Sequence, residues 1–420
     1  MSSLAKYLLN SGKTVSGSDV SESAAVAELR SSGVKVEIGE YKENISNYDV
    51  IVYTDAVHDN DTQLQKARSF GKKIMSRGQL LYEISKNFKT VIAISGCHGK
   101  TTCTSMIAHI FKAADRDFCA HIGGNDLTFS NLYFGGDDYF ITEACEYKKN
   151  FLLLKPDVAV VLNYRPDHLE CYESEDELKK CYLDFASCAS VKIGLYRDIL
   201  FDGLTFGYDK NADYSAHLIS ATDGKYSFTV FEGEYELGRV TLNVYGKHNI
   251  LNALAAVAVA RSMSIPFRHI ERGLSQFKGV KRRFERLGYI NGAEVIADYA
   301  HHPDEILASI RTAKRLTEGR LYIVFQPHTY SRTKLLFKQF VRVLAAQRDL
   351  LIYRTYAARE YYDDAGSALT LSQKIKKSRY GEDVRDILSF ISDARKGDII
   401  LFLGAGDIYD IAEKLVKNQY

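Results

Sequence analysis

No apolar run in this 420-residue chain approaches the roughly 20 residues that a membrane-spanning helix needs, so none is expected. The start Met1-Ser2-Ser3-Leu4-Ala5-Lys6-Tyr7 lacks a basic segment followed by an apolar core, and no signal peptide is expected either. The seven cysteines (Cys97, Cys103, Cys119, Cys145, Cys171, Cys181, Cys188) include no C-x-x-C pair, are odd in number and lie in one segment. They read as reduced thiols in a cytosol, neither zinc ligands nor a disulfide framework. An excess of one charge is also missing. With 55 Lys and Arg against 53 Asp and Glu, the net charge of +2 argues against nucleic acid or an anionic membrane as the main partner. There is no internal repeat and no low-complexity linker. What remains, 46% hydrophobic and 26% charged residues, is the composition of an ordinary cytosolic enzyme, too long for one core and suggesting about three domains.

The most informative stretch is Gly96-Cys97-His98-Gly99-Lys100-Thr101-Thr102, directly after the apolar run Thr90-Val91-Ile92-Ala93-Ile94. Backbone N–H groups of a glycine loop that opens a helix bind phosphate oxygens. The lysine then reaches the β- and γ-phosphates, and the threonine hydroxyl ligates the accompanying magnesium. The usual spacing G-x-x-x-x-G-K-[ST] would place a glycine at Ile94, so this is a compact G-x-x-G-K-T form. A plain strand-to-helix turn with a solvated lysine is the simpler alternative, and the immediate Lys100-Thr101-Thr102 argues against it. ATP or GTP use is the expectation.

Helical and strand periodicities alternate through the first ninety residues. Helices are expected at Ser2–Leu9, Ser21–Ser32 and Thr62–Phe70, with strands at Thr14–Ser18, Val34–Ile38, Asp49–Tyr53 and Lys73–Ser76. A Rossmann-like pattern follows, one that begins inside a helix with no G-x-G-x-x-G loop. A nicotinamide enzyme therefore has little support, although Asp19 after a strand suits a uridine ribose as well as a nicotinamide one. A second α/β unit starts at Lys89, with strands at Tyr139–Thr142 and Val158–Leu162, a β-rich section over 204–243 and a helix at Asn249–Arg261. A third starts near Lys281, with strands at Glu294–Asp298, Leu321–Gln326, Leu350–Tyr353 and Ile399–Leu403 and helices at Asp304–Leu316 and Thr333–Ala345. The expected fold is α/β in three domains: a Rossmann-like domain (1–88), a P-loop-type ATPase domain with a parallel sheet (89–280) and a Rossmann-like C-terminal domain (281–420).

Downstream of the loop, Glu143-Ala144-Cys145-Glu146 ends one strand and Asp167-His168-Leu169-Glu170 follows another after the turn Asn163-Tyr164-Arg165-Pro166. Ligands gather at the carboxyl ends of parallel strands, so both motifs should face the glycine loop. Alone, Asp167-His168 would be a turn cap and a hydrogen-bonded histidine. Beside a phosphate loop, a magnesium held by Thr101, Glu143 and His168 is favoured.

These strings together resemble the Mur ligases, and within them the alanine-adding branch or its tripeptide-recycling relative. The likeness runs over nearly the whole chain, through Gly17-Ser18-Asp19, Gly96 to Thr102, Glu143 to Glu146, Asp167-His168-Leu169 and Gly246-Lys247-His248-Asn249-Ile250-Leu251-Asn252. It continues in Gly279 to Glu285, Asp298-Tyr299-Ala300-His301-His302-Pro303, Phe325 to Thr333 and Gly404-Ala405-Gly406-Asp407. The glycine loop and the H-N-x-x-N element are common to all Mur ligases and to folylpolyglutamate synthetases. The A-H-H-P and F-Q-P-H-x-Y-S-R-T strings are much narrower.

The resemblance implies ATP-dependent addition of L-alanine to UDP-N-acetylmuramate through an acyl phosphate, by a cytoplasmic monomer or weak homodimer. It implies that Gly96, His98, Gly99, Lys100, Thr101 and Thr102 hold ATP phosphates. Asn249 and Asn252 would contact the adenosine side, with His248 nearby, and Arg283 and Asp298 would bind ATP from the third domain. Asp19 would touch the uridine nucleotide. Tyr299, His301, His328 and Arg332 would face the amino acid and the acyl phosphate, with Lys100, Glu143, His168, His301 and Arg332 carrying the chemistry. His301 is the candidate base, whereas His302 before Pro303 reads as structural. For Asn249 and Asn252 the plainer alternatives are a helix N-cap and a polar surface position. Domain closure is expected around the substrates.

Three departures accompany the resemblance. Met1 aligns with the methionine of the family's G-I-G-G-x-G-M-S start, so a gene model that begins late is expected, with a truncated, inactive ATP-binding homologue as the alternative. The carbamylated lysine of several relatives is replaced by Leu183 and Asp184, near Lys179 and Lys180, and no such modification is expected. Finally, Asp55-Ala56-Val57-His58-Asp59-Asn60-Asp61 is more acidic than the usual S-S-A-I-x-x-x-N-P, a place where first-domain contacts should differ.

Overall fold

A computed structural model describes residues 1–39, 41, 44–57, 60–164 and 172–418. They form two compact units. One comprises Met1–Ile219, Ser227–Leu242 and Asn249–Lys278, and the other Ser220–Tyr226, Asn243–His248 and Gly279–Tyr420.

The first unit opens with the expected alternation of short elements. Strands Ser16–Asp19 and Lys35–Ile38 pair in parallel, as do Val50–Tyr53 and Lys73–Ser76, giving two separate two-stranded sheets. Helix Ser2–Asn10 buries Leu4 and Tyr7, and the Tyr7 ring lies 6.0 Å from Phe88, itself stacked at 4.8 Å on Phe140. Helix Arg77–Ser85 was not foreseen. Its S-x-x-Q start is nonetheless a legible signal, since Ser76 and Gln79 form a reciprocal capping box and Leu80, Leu81 and Ile84 are buried.

A ten-stranded sheet follows. Within strand Thr90–Ser95, residues 91–94 are a continuous apolar run buried on both faces, the pattern of a central parallel strand. Its neighbours are Tyr139–Glu143 on one side and Val158–Val161 on the other, both parallel to it. Beyond them lie Phe118–Asp126 and Val191–Leu195, also parallel. The expected parallel core is therefore extended in two ways. An antiparallel hairpin, Phe118–Asp126 with Ser130–Phe134, closes one edge, and the β-rich section contributes Leu204–Gly207, Tyr214–Thr222, Lys225–Glu232 and Tyr235–Tyr245 at the other. Helix Lys100–Ala113 packs closely against helix Phe267–Gln276, which sequence reading left unassigned. Gly273 makes that approach, because a Cβ there would lie 2.5 Å from the Ile110 backbone.

The second unit is a six-stranded sheet in the order Glu285–Ile290, Ala293–Asp298, Ile399–Leu403, Leu321–Phe325, Asp349–Tyr353, Ser378–Gly381. All pairs are parallel except the first hairpin. Helices cover both faces, over one core around Phe325, Phe340 and Leu401 and another around Tyr322, Phe402 and Tyr353. The single helix expected over 333–345 is two, Tyr330–Leu335 and Phe337–Leu344. The break at Leu336 re-phases the apolar face, so that Leu336, Phe340, Val343 and Leu344 are all buried while Leu335 is exposed.

Candidate active site

In the first unit, strand register assembles the site. Ile94 stands opposite Glu143, and Ser95 opposite Val161, so the glycine loop, the Glu143 motif and the turn at Leu162-Asn163 leave the sheet side by side. These are carboxyl ends of parallel strands, where open α/β sheets bind ligands. The loop is tightly fixed. Asn163 accepts a hydrogen bond from the His98 N–H and donates one to the His98 carbonyl, both at 3.0 Å. Gly96 (φ +138°) lies against the Asn163 backbone, and Gly99 (φ +88°) lies where any Cβ would overlap Asn252 Oδ1. Thus neither glycine tolerates a side chain.

Lys100 begins the helix Lys100–Ala113, whose N-terminus carries the unpaired N–H groups and partial positive charge that favour phosphate. Its ammonium lies 2.9 Å and 3.0 Å from the two Glu146 oxygens and also donates to the carbonyls of Gly96 (2.5 Å) and Cys97 (3.3 Å). Burial would lower its pKa, but the charge of Glu146 outweighs this, holding the ammonium protonated and its pKa above the usual range. Thr101 is buried on the same turn.

Glu143 Oε1 accepts the Gly123 N–H at 2.5 Å. Gly123 sits in a bulge where Phe118–Asp126 slips against Ser130–Phe134, and a Cβ there would collide with the Glu143 carboxyl. Two strand glycines, Gly123-Gly124, were the available signal for this contact. The bulge ends at Asp126, which is buried and accepts hydrogen bonds from Ser105, from the Thr128 and Phe129 N–H groups, and faces His109 Nε2 at 3.2 Å. Hence one carboxylate ties helix Lys100–Ala113 to the hairpin that supports Glu143. Burial pushes the Asp126 pKa up, but its hydrogen bonds to His109 and Ser105 prevail and hold it below the usual value.

Asn249 and Asn252 are buried inside helix His248–Ser262, and the Asn252 amide donates to Asn249 Oδ1 at 2.9 Å. Burial of Asn252 removes the surface position as its plainer alternative, while Asn249 stands in the first turn of the helix. Asp19 is exposed at the end of its strand and accepts the Val20 N–H. Asp55, in the acidic segment, is held by Asn150 Nδ2 (2.7 Å) and Lys148 Nζ (2.9 Å). His58 and Asp59 lie outside the described residues, as do Asp167, His168, Leu169 and Glu170. Of the three expected magnesium ligands, Thr101 and Glu143 are described, and their hydroxyl and carboxylate oxygens suit a hard cation.

In the second unit, Asp298, Leu403 and Phe325 share one register line, so Tyr299 to His301, Gly404 to Asp407 and Gln326 to His328 emerge together at the carboxyl edge. The Asp298 carboxyl is withdrawn from solvent, which pushes its pKa up to about 6, although the Ser309 hydroxyl and Arg283 pull the other way. Arg283 covers the Tyr299 ring at 5.1 Å and lies 3.9 Å from Glu305. His301 Nδ1 donates to the Tyr299 carbonyl at 2.9 Å. Its ring lies 6.0 Å from that of His328, which stacks on Tyr356 at 5.5 Å and lies 3.3 Å from Arg332 Nη1. Burial lowers the His328 pKa to about 4, helped by His301 and Arg332, so His328 is neutral at pH 7 and its Nδ1 accepts from Arg332. His302 caps helix Pro303–Leu316 in a box with Glu305, the structural part expected of it.

Sequence reading assigned no role to Glu146, Asn163 or Asp126 in the first unit. In the second it passed over Gln326, Asp407 and Arg354. Fully buried Gln326 donates to Asp407 (2.6 Å) and accepts from the Ile408 N–H, while Arg354 donates to Asp407 at 2.7 Å. Only Gln326 and Asp407 fall within the recognised strings, and nothing local marks Arg354 as their partner.

Three family models match in succession: "Mur ligase family, catalytic domain" over residues 1–89, "Mur ligase middle domain" over 94–260 and "Mur ligase, glutamate ligase domain" over 282–406. UDP-N-acetylmuramate--L-alanine ligase of Clostridium beijerinckii is 41% identical over 99% of this chain and 95% of its own length. That of Clostridium novyi is 38% identical over 100% and 95%. The crystal structure of UDP-N-acetylmuramate-alanine ligase MurC from Thermotoga maritima superimposes with a TM-score of 0.86 at 26% identity, covering 100% of this chain and 96% of that one. A murein peptide ligase from Psychrobacter arcticus gives 0.76 at 25%, covering 99% and 96%. With three successive domain matches and full-length identity near 40%, the chain belongs to the Mur ligase family.

Proposed function

We propose that this protein is an ATP-dependent ligase that joins L-alanine to UDP-N-acetylmuramate, releasing ADP and phosphate, in the cytoplasmic synthesis of peptidoglycan precursor. The carrying observation is the fixed loop Gly96–Thr102 beside Glu143 at adjacent strand ends, in a chain 41% identical over 99% of its length to an alanine-adding ligase. A carboxylate is a poor electrophile. The lactyl carboxylate oxygen therefore attacks the γ-phosphorus of ATP, ADP leaves, and the acyl phosphate presents its carbonyl carbon to the alanine amine, which expels phosphate and forms the amide.

Phosphoryl transfer needs positioning and charge neutralisation more than covalent chemistry. Loop N–H groups and Lys100 supply these at the phosphates, with Asn249 and Asn252 toward the adenosine. Thr101 and Glu143, with His168, would hold Mg²⁺, which when bound neutralises charge on the phosphate oxygens. From the second unit, Arg283 and Asp298 serve ATP. Arg332 presents a guanidinium to the acyl phosphate, with neutral His328 orienting it, and Tyr299 lines the amino-acid site. His301 takes the proton that the ammonium of alanine must lose before attack. Asp19 belongs to the uridine nucleotide.

Phosphate release from ATP should require both UDP-N-acetylmuramate and L-alanine, with a product heavier by one alanyl residue. Efficient turnover with the tripeptide in place of L-alanine would redirect the assignment to peptide recycling. No phosphate release with either acceptor would sink it. Size-exclusion chromatography is expected to show a monomer or weak homodimer.

A further inference from the structure

An ammonium has three N–H donors, and four acceptors surround the Lys100 Nζ: both Glu146 oxygens and the carbonyls of Gly96 and Cys97. The lysine is thus curled over its own loop and saturated. Glu146 is almost completely buried, and Lys100 is nearly so. A buried pair of this kind is strongly coupled, because little water screens it. The position of Glu146 is also fixed from behind, since its backbone carbonyl accepts the Tyr172 hydroxyl at 2.5 Å. Lys100 cannot reach a phosphate oxygen while all three donors are spent.

We propose that Glu146 is an internal competitor for Lys100: its carboxylate occupies the lysine in place of nucleotide phosphate, and ATP binds by displacing that carboxylate. The inference rests on the reading of Gly96–Thr102 as the ATP phosphate loop. It gives Glu146 a regulatory task distinct from that of Glu143 three residues earlier. Competition of this kind weakens nucleotide binding by the strength of the internal pair and makes the loop demand a ligand carrying enough charge to replace a carboxylate. A di- or triphosphate does so. A nucleoside monophosphate, whose phosphate falls short of the lysine, does not.

The test measures ADP and AMP affinities by calorimetry on the full-length wild type and on Glu146→Gln, with thermal unfolding of each, with and without ADP. Expected for E146Q are about tenfold tighter ADP binding, unchanged AMP binding, a lower unfolding temperature without nucleotide and a larger rise on adding ADP. Equal or weaker ADP binding by E146Q overturns the proposal, because it makes Glu146 a support for nucleotide binding. A parallel change in ADP and AMP affinity overturns it too, as a general distortion of the site. Glu146→Asp retains the charge on a shorter arm and keeps the question open to measurement if E146Q does not fold. It should fall between the other two in ADP affinity, and a value at or below wild type counts against competition. If the wild type binds neither nucleotide, the reading of the loop fails first, an outcome distinguishable from wild-type binding with no gain in E146Q.

Discussion

The side-chain amide of Asn163 pairs with the backbone of His98 in both directions, each hydrogen bond 3.0 Å long. A residue just beyond one strand thereby holds the middle of the glycine loop that leaves the next. Asn163→Ala removes both bonds and leaves the His98 carbonyl and N–H without them. The expected result is a stability loss of about 1–2 kcal/mol and a rise in the ATP KM, read by urea unfolding and steady-state kinetics. An unchanged ATP KM would show that the loop keeps its shape without the clamp.

Gly99 is doubly constrained, by φ +88° and by Asn252 pressed against it. Gly99→Ala should cost about 1–3 kcal/mol and abolish most phosphate release. Adding Asn252→Ala removes the overlap but not the backbone strain, so the double variant is expected to recover part of the stability and little of the activity. Full recovery of both would refute the strain argument.

Asp126 supports the loop helix from beneath. Asp126→Ala strips partners from Ser105, His109 and two backbone N–H groups, and a loss of about 2–4 kcal/mol is expected. Because the folded-state pKa is held below the usual 3.8, the Asp126 contribution is complete above that value and disappears as pH falls through the lower, folded one. Acid unfolding of wild type should therefore steepen below pH 4. In Asp126→Ala the additional slope should vanish.

Asp298 has the opposite sign. Its folded pKa of about 6 lies above the ordinary 3.8, so the folded protein binds the extra proton and stability declines as pH rises between those values, then levels off above 6. The cost of ionising it is at most about 3 kcal/mol, from a difference of some two units at 1.36 kcal/mol each. Asp298→Asn should be less pH-dependent across this window, in thermal unfolding without nucleotide. A wild-type curve flat from pH 4 to 6 would contradict the shift.

Much of this was legible from residue order. The central strand Thr90–Ser95, the helix after the loop and four of the five parallel strands of the second unit follow from apolar runs and their periodicity, which the structure preserves within a residue or two, whereas Ser378–Gly381 was not expected. The missed hairpin Phe118–Asp126 with Ser130–Phe134 was obscured by Gly123-Gly124, which interrupts the alternation that identifies a strand. The break at Leu336 was hidden because a helical period continues on both sides of it. Its phase alone changes, and only the core shows which phase is buried.

The glycine loop and the family were thus written in the chain, because close spacing along the backbone places Gly99, Lys100 and Thr101 on one turn whatever the rest of the fold does. Partnership was decided elsewhere. Lys100 with Glu146, His98 with Asn163 and Gln326 with Asp407 are separated by 46, 65 and 81 residues. Strand order and register bring them within hydrogen-bonding reach, and burial then sets how strongly each pair holds.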